Sequence, residues 1–122
     1  MSIEANKAVV SRMFDAVNAN DIDGVIGLAT DDFVVHTAIP NVAPGRAGFR
    51  TLMEIYFGAF TEQHVDVDAV VAEGDRVVVY HTHHLTQGGP FAGLPPSGKQ
   101  VVVEGLEMYR VVDGKIAEMW HH

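Results

Sequence analysis

The chain has no cysteine among its 122 residues, 8 lysines and arginines against 16 aspartates and glutamates, and a single tryptophan. Without cysteine there is no disulfide, no thiolate metal site and no cysteine nucleophile. The net charge of −8, with histidine counted as neutral, argues against nucleic acid or an anionic membrane as the main partner, because both require clustered Lys and Arg. No apolar run approaches the ~20 residues needed to cross a bilayer. The opening MSIEANKAVV carries Glu4 and lacks the apolar stretch of a secretory leader, so the expected location is cytoplasmic. Histidine, in contrast, is plentiful: there are seven. Protonating all of them would move the balance from −8 to −8 + 7 = −1. Imidazoles are thus this chain's main means of exchanging protons near neutral pH.

The length suits one domain, residues 1–122, and 48% hydrophobic content is enough for a core without staples. Val9, Val10, Met13, Phe14 and Val17 recur at helical spacing, with Glu4, Lys7, Arg12 and Asp15 on the wet side. Asp21 or Asp23 can cap a second, short helix ending near Leu28. Residues 33–36 read as a short strand, and Pro40 with Pro44 and Gly45 as a loop. Helical spacing returns through Phe49, Leu52, Met53, Tyr56, Phe57 and Phe60. From Val65 the period becomes two, which is that of a half-buried strand. Strands are expected over 65–71, 77–85, 101–112 and 116–121, with hairpin turns at Glu73-Gly74-Asp75-Arg76 and Asp113-Gly114. Helices segregated from a strand meander give an α+β fold with three helices, all from the N-terminal half, packed on one face of a curved antiparallel sheet. Such an arrangement leaves a concave mouth suited to a small molecule.

Three segments carry a resemblance: Ala72-Glu73-Gly74-Asp75-Arg76-Val77; Gly93-Leu94-Pro95-Pro96-Ser97-Gly98-Lys99; and Tyr109-Arg110-Val111-Val112-Asp113-Gly114-Lys115-Ile116 followed by Glu118 and Trp120. They resemble the SnoaL-like polyketide cyclases and their ester-cyclase relatives, in the same order and spacing along nearly the whole chain. The resemblance implies the cone-shaped α+β barrel shared with ketosteroid isomerase, scytalone dehydratase and limonene epoxide hydrolase. It also implies a homodimer formed through the sheet, a small hydrophobic metabolite as partner, and no cofactor or metal. Cyclases of this family use an aspartate in the last strand as acid/base for an intramolecular aldol closure, with a histidine on the preceding strand. Counted from the Asp-Gly-Lys-Ile hairpin, those two positions carry His121 and Glu107 here. The pair looks exchanged in chemistry while kept in place.

Strand alternation puts Ala117, Met119 and His121 on one face, and Gly105, Glu107 and Tyr109 on one face of the strand before it. A carboxylate beside an imidazole fixes its tautomer and raises its pKa, making a base able to take a proton α to a carbonyl. His121 is therefore expected as base and Glu107 as its orienting carboxylate. His81 and His83 share a face with Val77, Val79 and Leu85, where they would polarise the substrate together with His36 at the pocket mouth. Two histidines at i, i+2 on a strand can also ligate zinc or iron, but only Glu107 offers itself as a third ligand. Tyr56 and Phe57 are expected to touch substrate from the third helix. His64 and His84 are expected outside the cavity, and Trp120 in packing or an interface. The overall expectation is a cofactor-independent aldol cyclase, isomerase or dehydratase acting on a cyclic or polyketide-like carbonyl compound, against a non-catalytic binder or dimerising scaffold. No serine elbow or phosphate loop is present to suggest otherwise.

Overall fold

The computed structural model describes residues 2–36, 45–89, 95 and 97–121. Helix α1 (Ile3–Asn18) starts at Ser2, whose Oγ accepts the Ala5 N–H at 3.1 Å and so satisfies one of the free first-turn donors. Its stripe of Val9, Val10, Met13 and Phe14 is buried, as the helical spacing requires. Asp21 caps the short α2 (Ile22–Gly27) by accepting from Gly24 N–H at 2.9 Å. Strand β1 (Ala29–His36) begins before the expected Phe33. The loop expected around Pro40 and Pro44 lies outside the described residues, which omit 37–44. Helix α3 (Gly45–Ala59) buries Phe49 and Leu52 and stops one residue short of Phe60, which already belongs to β2 (Phe60–Glu73). Strands β3 (Arg76–Gln87), β4 (Gln100–Val112) and β5 (Lys115–His121) follow.

Both hairpin turns fall where the turn residues require. Gly74 takes a φ of +59° between β2 and β3, while Asp113 and Gly114 take +49° and +79° between β4 and β5. Two successive positive φ values match the twist of the flanking strands, and the Asp-Gly pair is suited to them. The five strands form one curved sheet in the order β1-β5-β4-β3-β2, antiparallel except for β1, which runs parallel to β5. The sheet is open: β1 and β2 are its two edges rather than partners in a closed barrel.

The helices pack on one face of this sheet. Phe14, Val25, Phe33, Val65, Val77, Val79 and Tyr109 belong to one continuous buried core. Two polar contacts fix the helices to it. Asn18, at the end of α1, accepts from Val65 N–H at 2.7 Å and donates to Val65 C=O at 3.0 Å, reproducing with a side chain what a neighbouring strand would supply. Arg46, at the start of α3, donates to the Ala29 carbonyl at 2.7 Å and faces Asp31 at 3.1 Å. Among the described residues, no helix lies on the second face of the sheet, and it exposes Val102, Leu106 and Tyr80.

Candidate functional site

Between the concave face and the helices lies a cavity of about 380 Å³, within the range of small-molecule sites. Its walls are largely apolar, with Phe14, Phe49, Leu52, Tyr56 and Phe57 facing the sheet. The polar groups are concentrated on the sheet side: Gln63 from β2, His81 and His83 from β3, Glu107 and Tyr109 from β4, and His121 from β5. Strand alternation gathers them, because positions two apart on adjacent strands share a face.

Glu107 stands at the centre of the polar set. His81 Nε2 lies 2.9 Å from its Oε1, and the Tyr109 hydroxyl donates to its Oε2. His81 and Tyr109 are both buried, at 4% and 0% exposure, so this is a desolvated network rather than a surface pair. Burial alone pushes the Glu107 carboxyl up, but the hydrogen bonds from His81 and Tyr109, with the charges of His81 and His121, hold it below the usual carboxylate range. Glu107 is thus an anion inside an apolar wall. Burial, with the charge and hydrogen bond of Glu107, raises the Tyr109 phenol well above its ordinary value, so it stays a proton donor. Because an ionised carboxylate only accepts, His81 carries its proton on Nε2, and in the neutral ring Nδ1 keeps its lone pair. That Nδ1 is buried and has no hydrogen-bond partner in the protein.

The β3–β4 register explains this pairing. His81 lies opposite Gly105, and Val79 lies opposite Glu107, so His81 and Glu107 are diagonal neighbours. With no side chain at Gly105, the imidazole and the carboxylate close on each other across the gap. His121 is the direct register partner of Glu107 across β4 and β5. The expected His121–Glu107 hydrogen bond is nevertheless not formed among the described residues. The carboxylate turns to His81 and Tyr109, and His121 stays exposed at the cavity rim.

His83 is bound differently: its Nε2 sits 3.1 Å from Gln63 Oε1. Burial lowers its pKa to about 4, reinforced by the neighbouring His81 and by His84 and His64, and only partly offset by Glu107. His83 is therefore neutral at physiological pH.

His36 does not reach the cavity. Val35 lines it, so the next residue of β1 points to the other face. There His36 stacks on Trp120 with ring centroids 4.6 Å apart, and its Nε2 meets Glu118 at 2.7 Å. Arg110 also holds Glu118, at 2.6 Å, and the Arg76 guanidinium lies 4.8 Å over the Trp120 ring. The hydrogen bonds from His36 and Arg110 keep the Glu118 carboxyl low. This cluster ties β1 to β5 on the outer side, as the alternation of Trp120 away from His121 required. His64 and His84 also stand outside, both on Asp66, at 2.9 and 3.1 Å. Tyr56 and Phe57 do line the cavity. Among the described residues no group of three or more His, Asp or Glu side chains is placed to hold a metal ion.

Two contributors were not among the expected site residues, although Tyr109 was expected on the face of Glu107. Tyr109 shares the face of Glu107 at i+2, a spacing that signals an adjacent phenol on a strand. Gln63 is a neutral polar residue on the inward face of β2, two before buried Val65, which is its only signal.

The model of the SnoaL-like polyketide cyclase family matches residues 7–122, nearly the whole chain and every wall of the cavity. The chain belongs to the SnoaL-like polyketide cyclase family. Among solved structures, AclR of Streptomyces galilaeus, a candidate hydroxylase, is 33% identical with a TM-score of 0.87, covering 99% of this chain and 90% of AclR. A candidate SnoaL-like polyketide cyclase from Jannaschia sp. CCS1 is 29% identical with a TM-score of 0.88, covering 100% of this chain and 88% of that one. The fold extends to an LEH-like epoxide hydrolase of M. tuberculosis, at 20% identity and a TM-score of 0.78, covering 98% of this chain and 82% of that one. No curated protein matches the chain. These structural neighbours thus carry names of different activities on one scaffold, so chemistry has to be argued from the site. In this SnoaL-like chain the last-strand position is His121 and its cross-strand neighbour is Glu107.

Proposed function

We propose that the chain is a cofactor-independent acid/base enzyme of the aldol cyclase, isomerase or dehydratase type, acting on a small cyclic or polyketide-like carbonyl compound. The observation that carries this reading is the Glu107 carboxyl inside an apolar cavity, held by His81 and Tyr109 beside the rim residue His121. His121 takes a proton from the carbon α to the carbonyl, and the electron pair of that C–H bond moves into the enolate. In an aldol closure the enolate carbon attacks a second carbonyl of the same molecule, and the new alkoxide recovers the proton from His121. The fixed charge of Glu107 stabilises the imidazolium during this interval, at a strength the apolar wall increases. His81 and Tyr109 act through Glu107, as positioning residues. A non-catalytic binder would use the same cavity without needing an anion fixed at its wall.

The test uses 2-tetralone in D₂O, with exchange of its α-protons followed by NMR. The wild-type protein should accelerate exchange over buffer. His121→Ala should remove on the order of 10²-fold of that acceleration, and Glu107→Gln a comparable part. Exchange at the buffer rate with the wild type would favour the binder. Full acceleration in His121→Ala would remove His121 from the role of base.

We further propose that a second copy of the chain covers the helix-free face of the sheet. Val102 and Leu106 are 63% and 52% exposed there, on either side of Glu104, and a second copy laid on this face would take their apolar side chains out of water.

A further inference from the structure

Every Lys and Arg of the chain is placed away from the cavity. Lys7, Arg46, Arg50, Arg76 and Arg110 pair with Glu4, Asp31, Asp23, Asp75 and Glu118, and Arg12, Lys99 and Lys115 are exposed. These are all 8 lysines and arginines in the sequence, and none is among the described residues lining the cavity. Two glutamates do border it. Glu104 turns its carboxylate to the other face of the sheet, where it accepts from the Tyr80 hydroxyl at 2.8 Å. Among the described residues this leaves Glu107 as the one acidic side chain directed at the cavity.

Glu107 accepts hydrogen bonds from His81 and Tyr109, and no Lys or Arg offsets its charge. Burial pushes its carboxyl up, and those bonds hold it below the usual carboxylate range. In an apolar wall the field of such a group is weakly screened. A ligand carboxylate or phosphate would meet that field with no counter-ion, and would surrender its own hydration as well. Two like unit charges about 10 Å apart, at an effective dielectric of ~20, repel enough to weaken binding on the order of tenfold. A cation is attracted instead, and the aromatic faces of Phe14, Tyr56 and Phe57 are compatible with it.

We infer that Glu107 sets the charge of the ligand: the cavity takes uncharged or cationic ring compounds and rejects those that carry a carboxylate or phosphate. Proton transfer to His121 is not opposed by the same field, because it makes an enolate and an imidazolium together and leaves the net charge in the cavity unchanged. The inference deepens the acid/base reading by fixing the charge class of the substrate, and it rests on that reading for the cavity being the reacting site.

The experiment compares three compounds of nearly one shape and different charge: 2-naphthamidine, a cation; 2-naphthamide, uncharged; and 2-naphthoate, an anion. Binding is followed by fluorescence titration at about pH 8, where an ordinary imidazole is neutral. The wild type should bind 2-naphthoate on the order of tenfold more weakly than either of the others. Glu107→Gln keeps the size and an acceptor oxygen, and should remove most of that difference while keeping the affinity for 2-naphthamide. Glu73→Gln makes the same charge change at an exposed site and should leave the difference intact. A further arm needs no variant. In about 0.5 M sodium chloride, which screens exposed charges but buried ones much less, the wild-type difference should persist. Equal binding of all three compounds by the wild type, or binding of none, overturns the inference. So does a difference that vanishes in high salt, or one that survives in a Glu107→Gln protein that still binds 2-naphthamide. The 2-tetralone assay, with an uncharged probe, reads the acid/base claim separately. Exchange without charge discrimination sinks only the charge selectivity, and discrimination without exchange sinks only the acid/base reading.

Discussion

At the scale of single residues, the site depends on placing charged and neutral forms side by side. Glu107 is held ionised by donors from His81 and Tyr109, while His83, one strand step further on, is held neutral by burial. The His83 shift has a consequence for stability. Its folded pKa of about 4 lies below the 6.5 of a free imidazole, so between those values the unfolded chain binds more protons than the folded one. Stability must then fall as the pH drops from 6.5 toward 4. The lowered Glu107 works in the same direction at more acid pH, because protonating it breaks the native network. Partial exposure of His83 screens the effect, leaving about 1 kcal/mol between pH 7 and pH 5. Thermal unfolding followed at both pH values should show a smaller difference for His83→Phe than for the wild type. An unchanged difference would mean that His83 does not titrate as its burial demands.

At the scale of elements, local patterns in the sequence give the helix stripe of α1 and both hairpins, because each is decided by neighbours within a few residues. Pairings between distant strands are not written locally. The parallel docking of β1 on β5 carries an irregularity between Ala29 and Val34, and it decides that Val35 rather than His36 meets the cavity. In the same way, the faces of His81 and Glu107 follow from alternation, but their closure on each other depends on the β3–β4 register and on Gly105 standing opposite His81. Alternation therefore sorts residues into two faces within a strand, and the register decides which face meets the cavity and which residues touch. The link between α1 and β2 is equally non-local, since Asn18 makes both its hydrogen bonds to Val65, 47 residues away. Asn18→Ala leaves both Val65 backbone groups without that partner in a half-buried place. It should cost about 1–3 kcal/mol in chemical denaturation. A loss below a few tenths of a kcal/mol would show that water replaces the side chain at no cost.

For the whole molecule, the two faces of the sheet divide the work. The concave face encloses the cavity, and the other bears Val102, Leu106 and Tyr80, with no helix over them among the described residues. If a second copy covers that face, Leu106→Glu should convert a dimeric mass to a monomeric one in light scattering at about ten micromolar, with the cavity chemistry retained. A monomeric mass for the wild type would remove the dimer from the account. The acidic surface then has a narrower meaning than its size suggests: it keeps such a protein in solution and leaves proton exchange to the few inward imidazoles. Finally, β5 lies between β1 and β4, although β1 ends at His36 and β5 begins only at Lys115. On a ribosome adding about 5–20 residues per second, β1 waits roughly 4–16 s for its neighbour. Through that interval a strand with Phe33, Val34 and Val35 stands without a partner, and the adjoining Asp31 and Asp32, both exposed, supply the charges that discourage it from pairing with another chain.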